Sequence, residues 1–141
     1  MDTEVLVDIS APPERVWPVM VDVERWPEWT ASINKVQRLD ARRFGVDSQA
    51  RISQPRFPIL IWRVTQFEPG RGFIWETSSW GALTVAEHWI TTNQNGGSTV
   101  MLKVRQTGML VPILRPWISK ITRRYMDMEA AGLKRRCETA A

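Results

Sequence analysis

The chain has 141 residues, of which 43% are hydrophobic, enough for the core of one domain. Its 19 basic and 15 acidic residues leave a charge of +4, a weak argument for an anionic partner. A single cysteine, Cys137, and a single histidine, His88, exclude an internal disulfide and a Cys/His metal cluster, and they favour a reducing compartment.

The acidic start (Asp2, Glu4, Asp8) lacks the basic-then-apolar pattern of a signal peptide. No apolar run approaches the roughly 18 residues of a membrane span, so a soluble cytoplasmic protein is expected. Residues 3–9 alternate as a first strand, with Leu6 out of pattern on the polar face. Ser10-Ala11-Pro12-Pro13-Glu14 ends that strand and opens a short helix with Val16, Trp17, Met20 and Val21 on one face. Pro18 must lie in its first turn or bend it. Trp26-Pro27-Glu28-Trp29 forms an aromatic corner.

Further strands are expected at 33–39, 48–54, 59–67, 73–77, 83–92 and 98–107. The loop through Pro55 and Pro58 cannot be central strand. Turns are expected at 68–72, at 78–81 and at 93–97. Short turns between successive strands imply an antiparallel meander.

Residues 111–138 carry the one long helical rhythm. Leu114, Trp117, Ile118, Ile121, Tyr125, Met128 and Gly132 recur at steps of three or four, with basic residues on the remaining directions. Pro116 suits the first turn, and Pro112 suits the approach loop. Gly132 within the stripe implies close contact with another backbone, because glycine in a helix otherwise costs about 1 kcal/mol. One amphipathic helix with this much strand to cover implies a sheet wrapped around it.

The stretch VDISAPPERVWPVMVDVERWPEW, Val7 to Trp29, resembles the opening of the START-like (SRPBCC) superfamily, in its polyketide cyclase/dehydrase-like branch. Ala11, Pro12, Glu14, Val16, Trp17, Asp22, Trp26 and Trp29 carry the likeness. Phe67-Glu68-Pro69-Gly70-Arg71, His88, Gly97-Ser98-Thr99-Val100 and Gly108 follow in the family's order. Pro18 and the Pro55–Pro58 loop depart from it. The resemblance implies one α+β domain over 1–141 with a helix-grip fold. In that fold a curved antiparallel sheet of about seven strands wraps a long C-terminal helix, two short helices follow the first strand, and a cavity lies between. It also implies an apolar small molecule or lipid as partner, or, in a minority of members, cyclisation or dehydration of a polyketide-like substrate. It implies no cofactor.

On the strand carrying His88, both faces are mixed, and periodicity leaves its direction open. Turned inward, His88 is a candidate acid–base group; the plainer reading is a hydrogen-bonded wall residue. Tyr125, the only tyrosine, is a candidate donor to a ligand, against a core tyrosine with its hydroxyl at the edge. Glu76 and Glu87 are acid candidates if inward, and solvent-facing is preferred for both. Trp62, Trp75, Trp89 and Trp117, with Ile121 and Tyr125, are the expected pocket walls. Trp26 and Trp29 are expected to pin the short helices.

The Arg123-Arg124 and Lys134-Arg135-Arg136 clusters, with the apolar 109–114 connector, suit anionic lipid contact, although a solvated helix face is the preferred reading. Nucleic-acid binding is not supported by any basic–aromatic motif. The sequence therefore points to a binding protein for an apolar molecule. The alternatives are an acid–base enzyme in the same cavity and an interaction module whose interior is plugged by tryptophan.

Overall fold

A computed structural model describes residues 1–79 and 81–139; Trp80, within the expected 78–81 turn, and residues 140 and 141 lie outside the described residues. The elements run β1 (Asp2–Ile9), α1 (Pro13–Val21), a 3-10 turn (Val23–Glu28), β2 (Lys35–Arg38), β3 (Gln49–Ser53), β4 (Leu60–Glu68), β5 (Gly72–Ser79), β6 (Ala82–Thr92), β7 (Ser98–Gly108) and α2 (Val111–Thr139). The strands form one curved antiparallel sheet of seven, ordered β1-β7-β6-β5-β4-β3-β2. Each hairpin places sequence neighbours side by side, and β1 closes the far edge against β7, with Val5 opposite Leu102 and Val7 opposite Val100.

Alternation sets the inner face. Val64 on β4, Phe73 and Trp75 on β5, Ile90 on β6 and Val100 and Leu102 on β7 are buried, and their chain neighbours point outward. Leu6, the residue out of pattern on β1, is 63% exposed. The helix α2 packs on β1 and β7 and on α1. Gly132 makes that approach possible: a Cβ there would collide with the carbonyl oxygen of Trp29. The expected backbone contact is therefore present.

Two expectations about α2 change. Helical bonding starts earlier than expected: Leu114 N–H reaches the Leu110 carbonyl, Pro112 occupies the first turn, and Pro116 lies inside the helix. The carbonyl that Pro116 leaves unbonded belongs to the exposed residue Pro112, where water can serve it. The buried stripe keeps Ile121 and Gly132 of the expected face and is otherwise turned by about one residue. It runs through Thr122, Met126, Ala130, Leu133 and Cys137, and Leu114 and Trp117 are 44% and 48% exposed. In the first turns of α2 Val111 is buried, whereas Ile113, Leu114 and Trp117 are exposed.

Candidate functional site

Between the sheet and α2 lies a cavity of about 460 Å³. An interior plugged by tryptophan is thereby set aside, and the volume falls within the range typical of ligand pockets, about 300–1,000 Å³. One end is closed by Trp26, Trp75, His88, Met126 and Glu129, and the other opens between Phe57 and Pro58 of the β3–β4 loop and Leu110, Leu114 and Trp117 of α2.

The closed end is built by register. Antiparallel pairing sets Phe73 opposite His88 and Trp75 opposite Ala86, so His88 shares the inner face with the two aromatic residues of β5. The imidazole stacks on Phe73, with ring centres 4.5 Å apart and planes 12° apart. Trp26 descends from the 3-10 turn onto Trp75 and His88, at 5.3 Å and 5.4 Å, and its indole N–H is held by the Met20 carbonyl. It thus pins the short helices, as expected, and also closes the cavity.

Glu129 reaches down from α2 to the same point. Its Oε1 lies 3.4 Å from His88 Nε2, with side chains 17% and 6% exposed respectively. That gap is long for a good N–H···O bond. His88 Nδ1 and the Trp62 indole nitrogen are buried without a partner.

The remaining expected residues divide. Trp62, Trp75, His88, Trp117 and Tyr125 border the cavity. Trp89 does not: it shares the outer face of β6 with Glu87, donates its indole N–H to that carboxylate over 2.9 Å, and covers Gly72. Ile121 turns away from the cavity into a second recess of about 500 Å³ between α2 and the β3–β4 loop, which Trp117 and Tyr125 also border. The Tyr125 hydroxyl donates to the Pro55 carbonyl, which ties α2 to that loop. Glu76 lies 3.6 Å from Arg63, and both Glu76 and Glu87 are off the cavity wall.

Glu129 is absent from the expected set. Its signal was the spacing Ile118, Thr122, Tyr125, Glu129, Leu133, a helical face interrupted by one carboxylate. The basic clusters are partly engaged in ion pairs: Arg123 lies near Asp127, Lys134 bonds Glu138 and the Asp8 carbonyl, and Arg136 bonds Glu28. Among the described residues, no helix is long and apolar enough to cross a membrane, and no group of three or more His, Cys, Asp or Glu could hold a metal ion.

A curved sheet gripping a C-terminal helix around an apolar cavity defines a helix-grip protein of the START-like type. The chain belongs to the family described as polyketide cyclase / dehydrase and lipid transport, which it matches over residues 2–138. It is similar to a START superfamily protein from Mycobacterium smegmatis, at 17% identity and a TM-score of 0.81, with 97% of each chain covered. It is similar also to a protein of Thermus thermophilus, at 15% identity and a TM-score of 0.78, again over 97% of both chains. A third similar structure is the di-domain ARO/CYC StfQ from the steffimycin biosynthetic pathway, at 12% identity and a TM-score of 0.79, over 97% of this chain and 50% of that one. At such identities the likeness is one of fold. No curated protein matches the sequence.

Proposed function

We propose that the protein binds an apolar small molecule or lipid in the cavity between the sheet and α2. The observation that carries this reading is the cavity itself, about 460 Å³ walled by Trp26, Trp62, Trp75, Leu60, Val104 and Met126 and open at one end. Water held in such a space has few polar partners, so an apolar ligand displaces it favourably. The uncharged fluorophore N-phenyl-1-naphthylamine tests this. Saturable one-to-one binding with quenching of tryptophan emission is expected, and Ala86→Trp, which fills the cavity opposite Trp75, abolishes it. Probes of several sizes that leave the spectrum unchanged would overturn the reading.

A second reading, an enzyme of polyketide cyclase or dehydratase type, has one specific observation in its favour: His88 and Glu129 converge at the closed end. An imidazole and a carboxylate beside a bound carbonyl compound suit proton transfer. Tyr125, whose hydroxyl is already given to Pro55, contributes less to such chemistry. Measuring binding and turnover separately for His88→Ala distinguishes the two, since a carrier has no turnover to lose.

A further inference from the structure

We propose that the ligand carries one terminal hydroxyl and enters hydroxyl-first, so that this group rests against His88 and Glu129 with the apolar body trailing to the mouth. The inference rests on the binding function proposed above and specifies its ligand class.

The cavity has a direction. At the mouth Leu110 and Leu114 are each 44% exposed, whereas at the closed end Trp75 and His88 are 2% and 4% exposed. Ala82 at the mouth and His88 at the closed end share the inner face of β6, about 20 Å apart at a rise of about 3.3 Å per residue. The opposite wall agrees: Leu114 to Glu129 along α2 is about 22 Å at about 1.5 Å per residue. The space is a slot, entered from one end.

Acidic and basic side chains on its wall are confined to the two ends. Arg56 borders the exposed mouth, and His88 and Glu129 stand together at the bottom. Their 3.4 Å separation carries no well-formed mutual hydrogen bond, so each retains capacity for a ligand. The carboxylate accepts and an imidazole N–H donates. A hydroxyl both donates and accepts, so it serves both groups with one oxygen.

The other common ligand ends do worse. A methyl group would expel water from the pair and return no hydrogen bond. A carboxylate would meet the charge of Glu129 in a water-poor wall, where like charges repel strongly. The expected order is hydroxyl, then methyl, then carboxylate.

Displacement of N-phenyl-1-naphthylamine by 4-hydroxybiphenyl, 4-methylbiphenyl and biphenyl-4-carboxylate at pH 7.5 tests this order. The hydroxyl compound is expected to bind at least tenfold more tightly than the methyl compound and at least 100-fold more tightly than the carboxylate. Glu129→Gln should narrow the gap to the carboxylate at least tenfold. Equal binding of acid and hydroxyl, no displacement by any of the three, or an unchanged ratio in Glu129→Gln overturns the hydroxyl proposal while leaving the cavity reading intact. Failure of the fluorophore itself to bind overturns both. The wild-type ratio stands as a test even if the variant does not fold.

Discussion

His88 Nε2 and Glu129 Oε1 lie 3.4 Å apart across the closed end of the cavity, one from the sheet and one from the helix that the sheet grips. They bring a polar contact between the two layers to a place where the surrounding contacts are aromatic. A double-mutant cycle with His88→Phe and Glu129→Met measures the link. Groups this close and this buried are expected to couple by about 0.5–3 kcal/mol in urea unfolding. A coupling within error of zero would mean that each side chain is held by its own layer alone.

Gly132→Ala should destabilise the protein even though alanine is the better helix former. The propensity gain is about 1 kcal/mol. Against it, the new Cβ would collide with the Trp29 carbonyl oxygen, a backbone atom that cannot rotate away. Overpacking of this kind costs about 1–3 kcal/mol, and here it should exceed the gain, lowering Tm by several degrees. A Tm equal to or above wild type would show that the 3-10 turn shifts freely.

Cys137 should be inert in the native state. Its side chain is fully buried, and burial pushes the thiol up to about 11 from its usual 9.0, with Arg15 opposing. Little thiolate therefore exists at pH 8, and an aromatic disulfide reagent should react only on unfolding. The sign of the pH effect follows. The native thiol keeps its proton where the unfolded one loses it, so this contribution is intact below pH 9 and declines as pH rises towards about 11. The part of that decline missing from Cys137→Ala belongs to the thiol.

Trp117→Ala should separate binding from stability. The indole is 48% exposed at the mouth and tilted at 56° to Phe57, with 6.0 Å between ring centres. Removing it should change unfolding free energy by less than about 1 kcal/mol. Affinity for N-phenyl-1-naphthylamine should fall about 3- to 10-fold, equivalent to about 0.7–1.4 kcal/mol. Unaltered affinity would place the ligand wholly below the rim.

Alternation and turn chemistry made most of the architecture legible from the residues. Val5, Val7 and Ile9 marked β1, the Glu68-Pro69-Gly70-Arg71-Gly72 turn separated β4 from β5, and the three-and-four spacing after Val111 located α2 to within a residue at its C-terminal end. These signals are local: a period of two or of 3.6 is imposed by the backbone of a few consecutive residues. The Gly132 approach was also legible, because a glycine in an apolar stripe needs a close neighbour to offset its cost.

The site was decided by the tertiary structure. Both faces of β6 carry apolar and polar residues, so only pairing with β5 turned His88 inward and Trp89 outward. The helix stripe extended over several directions, and only its rotation against β1 and β7 carried Glu129 to the cavity and left Ile121 in the outer recess. A residue's own sequence neighbours set its periodicity. Which of two mixed faces is buried, and how far a helix rolls on a sheet, are set by the fit between surfaces distant in the chain.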